Sequence, residues 1–206
     1  PLENDDRFHV YYSIRPEEIL KADILILPGS KNTLLDLRFL IEQDIVSLIQ
    51  FLSKYITVIG ICGGFQMLGE VIYDPHQTES DIGEMKGIGL LPVTTIMISP
   101  KITTKVTIEF DGTLSEAYEI HMGRTTRLSA EPFIFLNGHE DGCKKNKIWG
   151  TYLHGIFENS AVRNLCAGSV RNKNFNELKN ESYNHLATIL EQHLAIEKMI
   201  QSAHHD

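Results

Sequence analysis

The sequence predicts an α/β fold with a mostly parallel central sheet, helices on both faces, and an antiparallel strand extension in the middle. Three observations predict it. Two short runs, Ile24–Leu27 and residues 55–61, are continuously apolar rather than alternating, as strands covered on both faces require. Each run stops at small residues, Pro28-Gly29-Ser30 and Cys62-Gly63-Gly64, and each is followed by a helical pattern. Between residues 87 and 136, short β-branched runs are separated by Gly, Pro and Asp turns.

In chain order, residues 22–27 read as the first strand. A helix follows over 33–43, with Leu34, Leu35, Leu37 and Leu40 spaced for one face, and a second helix over 45–54. Residues 55–61 are the second strand, and 65–71 resume a helical pattern. Strands are expected over 87–94, 101–110, 116–122 and 133–136, and again over 148–153, which end at His154-Gly155. Residues 172–184 are polar and Asn-rich, a linker or a loose helix. A terminal helix over 185–201 follows, with Leu186, Ile189, Leu190, Leu194, Ile196 and Met199 on one face for packing on the core. The whole chain, 1–206, reads as one domain.

With 206 residues and 42% hydrophobic content, the chain is long enough to bury one sizeable core. Its formal net charge of -8 argues against nucleic acid or an anionic membrane as the main partner, because both attract clustered Lys and Arg. No apolar run is long enough to span a bilayer. Cys62, Cys143 and Cys166 form no CxxC pair, and their odd number points to a reducing, cytoplasmic setting without a disulfide framework. The histidines are scattered: His121, His139 and His154 match no metal-ligand spacing, so no metal is expected. His204 and His205 stand at the C-terminal end.

Chemistry concentrates at Gly60-Ile61-Cys62-Gly63-Gly64-Phe65-Gln66. A nucleophile on a sharp strand-to-helix turn needs small neighbours, and Gly60 and Gly64 supply them two residues to either side of Cys62. A sulfur at a helix start is also favoured as thiolate, and free amides there can hold an oxyanion. The alternative is a buried structural cysteine beside a Gly-rich turn. His154, ending a strand, can serve as base if that strand and the Cys62 strand end on the same edge of the sheet.

These residues resemble the class I glutamine amidotransferases, whose G-x-C-x-G-x-Q pattern is matched at every fixed position. The resemblance implies a flavodoxin-like fold. It implies that Cys62 forms a glutamyl thioester with His154 as base, that the Gly63 amide contributes to the oxyanion hole, and that Gln66 helps to hold the bound glutamine. Pro28-Gly29-Ser30 resembles the second oxyanion segment, with Ser30 where Gly is usual; a backbone N–H performs that role. The class usually carries His-Pro-Glu, whereas this chain reads His154-Gly155-Ile156, so the carboxylate that orients the imidazole is missing. Glu158 substitutes, or it is an exposed helix-end carboxylate, or the pair works without an orienter, or the domain has a weak basal glutaminase activity that another domain switches on.

That departure, with residues 27–33 (LPGSKNT), 118–125 (YEIHMGRT) and 149–159 (WGTYLHGIFEN), is similar to the amidotransferase domain of cobyric acid synthases. The resemblance places His121 beside the glutamine pocket. By spacing alone, Glu119, His121 and Gly123 are the polar face of an amphipathic strand. It further implies that ammonia passes to a separate ATP-dependent synthetase domain, which amidates carboxylates of a cobyrinic acid diamide in cobalamin synthesis. The chain has no G-x-x-x-x-G-K-[ST] loop and begins at Pro1, so ATP and Mg²⁺ are expected only in that domain and no cofactor in this one. Other readings are a different acceptor such as lipid II, a cysteine hydrolase on the same fold, and a non-catalytic domain that binds a synthetase.

Overall fold

The computed structural model describes residues 1–136, 139–169 and 175–193. A short helix, α1 (Pro16–Ile19), precedes β1 (Ile24–Leu27), α2 (Thr33–Glu42), α3 (Ile45–Leu52), β2 (Thr57–Ile61) and α4 (Gly63–Leu68). Asn32 starts α2 by accepting a hydrogen bond from the Leu35 amide at 3.0 Å, which satisfies one of the free N–H groups of the first turn. Leu34 and Leu37 of α2, and Ile45, Ile49 and Leu52 of α3, are buried at helical spacing. Each fully buried leucine contributes about 2 kcal/mol.

Short strands follow: β3 (Val71–Tyr73), β4 (Glu84–Lys86), β5 (Val93–Ile96), β6 (Ile102–Phe110), β7 (Thr113–His121) and β8 (Arg124–Arg127). After them come β9 (Ile134–Leu136), β10 (His139–Asp141), β11 (Cys143–Lys145), β12 (Ile148–Thr151) and β13 (Leu153–His154), then the turn Ile156–Glu158, α5 (Ser160–Ala167) and α6 (Phe175–His193). The central sheet has the order β1–β2–β12–β11, with β1, β2 and β12 parallel and β11 antiparallel at one edge. A mixed sheet, β4–β3–β5–β8, and an antiparallel sheet, β13–β7–β6, form the predicted extension.

Register decides where the functional loops fall. Leu27 pairs with Gly60, Gly60 with Gly150, and Ile61 with Thr151, so β1, β2 and β12 end together at one edge. The adjacent glycines Gly60 and Gly150 leave bare backbone beneath the first turn of α4. A Cβ on Gly150 would lie 2.4 Å from the Phe65 ring, and one on Gly64 would lie 2.0 Å from the Leu27 carbonyl oxygen. Helix α4 therefore sits closer to the sheet than any side chain there would allow.

Several boundaries differ from the expectation. The strand expected over 87–94 begins only at Val93. The amides of Ile88, Gly89, Leu90 and Leu91 bond instead to the carbonyls of Met67, Gly69 and Leu68, closing the C-terminal end of α4. Helix α4 stops at Leu68, and Val71–Tyr73 pair as a strand. Helix α6 begins at Phe175, inside the segment read as a linker or loose helix. Leu186, Ile189 and Leu190 are 40–53% exposed, so the described part of α6 does not bury the face expected against the core. Its sequence is dominated by Asn, Glu and other polar residues, which leaves too narrow an apolar stripe to hold it there. Leu194, Ile196, Met199, His204 and His205 lie outside the described residues. Among the described residues, no helix is long and apolar enough to cross a membrane.

Candidate active site

Cys62 sits at the break between β2 and α4 with φ 53° and ψ -110°, a left-handed conformation that a non-glycine residue seldom adopts. The chain is held there from three sides. The Cys62 amide donates to the Thr151 carbonyl at 2.8 Å, the Gly64 amide to Pro28 at 3.1 Å, and the Gln66 amide to Cys62 at 3.1 Å. The strained turn predicted from the flanking glycines is present, and the strain falls on the cysteine itself.

The loop after β1 lies against this turn. A Cβ on Gly63 would be 2.9 Å from the Ser30 nitrogen, so the Gly63 and Ser30 backbones face each other across the site. The Ser30 hydroxyl points elsewhere: it donates to Asp36 at 2.5 Å and accepts from the Asn32 amide at 2.9 Å. The serine that departs from Pro-Gly-Gly thus braces the start of α2 through its hydroxyl.

His154 meets Cys62 at Gly29. A Cβ on Gly29 would lie 3.0 Å from His154 Cε1, 3.8 Å from His154 Nε2 and 3.7 Å from Cys62 Cβ. The imidazole stacks on Tyr118 at 5.2 Å between centroids, with 4° between planes, and those two residues are also paired in register. His154 Nε2 is buried without a hydrogen-bond partner. Such an orphan is uncommon and calls for a chemical explanation. Glu158 does not fill the place of the missing carboxylate: its carboxylate lies by Gly155 and acts on the Pro1 amine, whereas the groups acting on His154 are Ile120 and Lys101.

Burial sets the proton positions. It pushes the Cys62 thiol up to about 11; Glu79 adds to the rise, and the Gly63 amide and Lys101 oppose it. The expectation that the helix start would favour a thiolate is corrected for the ligand-free protein, because desolvation outweighs the amide. The thiol donates to the Ile120 carbonyl at 3.4 Å. His154 is lowered chiefly by burial, with the Ile120 carbonyl opposing. At neutral pH the pair therefore rests as thiol and neutral imidazole.

Gln66 is 2% exposed. Its Oε1 accepts from Thr33 at 3.1 Å, and its Nε2 donates to the Met122 carbonyl at 2.9 Å and to Tyr152 at 3.1 Å. It ties α4 to α2 and to the end of β7. His121 is 7% exposed and stacks on Tyr152 at 3.7 Å, its Nδ1 3.2 Å from the Gly123 carbonyl. Charge on His154 lowers it after burial does, so it lies near the base. Cys62, His154, Gly29, Ser30, Gly63, Gln66 and His121 are thus brought to one edge of the fold. Glu79, Lys101, Tyr118 and the Ile120 carbonyl join them there; the sequence reading passed over Glu79 and Lys101, and it quoted Tyr118 and Ile120 only as part of the 118–125 motif. Among the described residues, no three His, Cys, Asp or Glu side chains gather as a metal site would require.

The model of the CobB/CobQ-like glutamine amidotransferase domain matches residues 1–162. Cobyric acid synthase of Phocaeicola vulgatus is 43% identical over 168 residues, 78% of this chain and 34% of that protein. The enzyme of Thermodesulfovibrio yellowstonii is 42% identical over 180 residues, covering 79% and 35% respectively. That of Geobacillus thermodenitrificans is 38% identical over 206 residues, covering 89% and 40%. The chain spans about a third of the length of these relatives. A crystal structure of a glutamine amidotransferase has the same fold, with a TM-score of 0.52 at 14% identity over 68% of this chain and 74% of that one.

Proposed function

As the chain belongs to the CobB/CobQ-like glutamine amidotransferase domain family, we propose that it releases ammonia from glutamine through a thioester on Cys62. The carrying observation is the buried, unpartnered His154 Nε2, whose ring lies against Gly29 as the Cys62 Cβ does, where two parallel strands end together. Nε2 accepts the thiol proton as the sulfur adds to the carboxamide carbon of glutamine. The amides of Gly29, Ser30 and Gly63 hold the negative oxygen of the tetrahedral adduct, each such donor contributing roughly 3 kcal/mol to the rate. The imidazolium then protonates the departing nitrogen, the C–N bond breaks, and ammonia leaves a γ-glutamyl thioester. Water, deprotonated by His154, adds to the thioester; the C–S bond breaks, glutamate leaves and the thiol regains its proton.

In this reading Tyr118 and the Ile120 carbonyl orient His154 in the place of the missing carboxylate. Gln66 is a positioning residue, since both its N–H donors are engaged within the protein. His121 borders the glutamine pocket. The identity to cobyric acid synthases supports a role as the ammonia-supplying part of such an enzyme, with a synthetase part amidating cobyrinic acid diamide carboxylates at the expense of ATP.

The test is glutamate release from glutamine by the wild type, Cys62→Ala and His154→Asn. Loss of release in the first, and a fall of about a thousandfold in the second, are expected. Release undiminished in Cys62→Ala would overturn the assignment.

A further inference from the structure

Nucleophile and base belong to different sheets, and the chain has to be led from one to the other. Thr151 ends β12 in the central sheet, in register with Ile61, whereas Leu153 and His154 pair with Glu119 and Tyr118 of β7. The change of sheet is made at Tyr152. Thr151, fully buried, holds both sides of it. Its carbonyl accepts from the Cys62 amide at 2.8 Å, and its Oγ1 accepts from the Leu153 amide at 3.1 Å. One residue thus ties the backbone of the nucleophile to the residue that precedes the base.

Thr151 is held in turn by Asp141 of β10. The Thr151 hydroxyl donates to Asp141 Oδ2, and the amides of Gly142 and Tyr152 reach the same carboxylate. Gly142, at φ 70°, makes this approach possible: a Cβ there would lie 2.2 Å from the Gly150 carbonyl oxygen. Arg127 attracts the carboxylate, but its hydrogen bonds go to the Gly142 carbonyl at 3.0 Å and to Glu140. Among the described residues, no Lys or Arg donates to Asp141. The side chain is nonetheless buried, and burial raises its carboxyl more than its partners lower it. Enclosing such a carboxylate costs stability, and packing alone would be met by a neutral residue. Its charge secures the direction of one proton. An ionised carboxylate can only accept, so the Thr151 hydroxyl is committed to Asp141 and turns a lone pair to the Leu153 amide.

We infer that Asp141 is a positioning residue for the glutaminase reaction: through Thr151 it fixes the backbone at Cys62 and at His154 together. It supplies, at one remove, the carboxylate that the residues after His154 do not provide. The inference rests on the glutaminase reading above. Tyr118 and the Ile120 carbonyl orient the ring, and Asp141 sets the path of the chain that carries it.

The experiment measures kcat and KM for glutamate release from glutamine, with thermal unfolding, in wild type, Thr151→Val, Thr151→Ser and Asp141→Asn. Valine keeps the size of threonine without the hydroxyl, and serine keeps the hydroxyl. In Thr151→Val, kcat should fall about a hundredfold, as when reacting groups are misplaced by about 1 Å, while KM stays within about threefold. Thr151→Ser should recover most of that loss. Asp141→Asn, which keeps an acceptor oxygen and removes the charge, should lower kcat about tenfold at steady KM. A role confined to stability would lower the unfolding temperature and leave the kcat of the folded protein unchanged, and that outcome overturns the assignment. Equal losses of kcat in Thr151→Ser and Thr151→Val overturn it too, as does a rise in KM that accounts for the fall in kcat/KM. Should Thr151→Val not fold, an unchanged kcat in Asp141→Asn is enough to overturn it. If wild type releases no glutamate, the glutaminase reading fails and the assignment falls with it.

Discussion

At the scale of single residues, the site shows how burial and geometry oppose each other. Cys62 is held in a strained conformation at the break between β2 and α4, and the enclosure of that turn raises its thiol to about 11. The rate of iodoacetamide labelling in the ligand-free protein should therefore rise about tenfold per pH unit through neutrality and level off only near pH 11. A plateau between pH 6 and 8 would mean instead that the resting pair is thiolate and imidazolium. The residues that carry local signatures were legible beforehand: Cys62 from its flanking glycines, Gly29 and Ser30 from a Pro-Gly turn after a strand, His154 from the end of another. Glu79 and Lys101 were not. Glu79 lies on an irregular segment whose position is fixed by the side chain of Asp74, and Lys101 by the pairing of Ile102 with His121. Neither constraint leaves a periodic trace in the sequence.

At the scale of elements, the strands and helices from β1 to α4 were readable because each is long enough to show a period or a continuous apolar run. Strands such as β4, β8, β10 and β11, of three or four residues with mostly polar sequences, exist because a partner strand supplies their hydrogen bonds. The N-terminal segment is attached by another long-range device. Asp5 receives Arg7 at 2.6 Å and Arg163 of α5 at 3.3 Å, and Arg7 also donates to Asn164 at 2.9 Å. Chiefly through the Arg7 hydrogen bond, the Asp5 carboxyl is held well below the usual carboxylate range. Because its folded value is the lower one, its contribution is complete at neutral pH and is lost as pH falls below about 4. Asp5→Asn should cost about 3 kcal/mol at pH 7, since the carboxylate accepts from both Arg7 and the buried Arg163. The cost should shrink steadily between pH 4 and pH 2 in chemical unfolding, and a cost that does not vary with pH would show that the carboxylate charge is immaterial.

At the scale of the whole molecule, the chain is a glutamine amidotransferase domain spanning about a third of the length of its relatives. The proposed partner is the synthetase portion of such enzymes. Adding that portion with ATP and its acceptor should raise kcat/KM for glutamine about tenfold, a typical coupling between sites, with glutamate and amidated product formed in equal amounts. Glutamate formed in excess of product would show that the two reactions are not joined. The resting thiol also bears on the protein's chemical lifetime. A sulfur that ionises only near pH 11 is a thiolate in roughly one molecule in ten thousand at pH 7. Peroxide attacks the thiolate, so the idle protein should survive oxidants that would convert an ordinary reactive cysteine to a sulfenic acid. The hazard then falls in the brief interval of turnover, and ageing of the enzyme should follow the number of glutamines it has cleaved more closely than the hours it has existed.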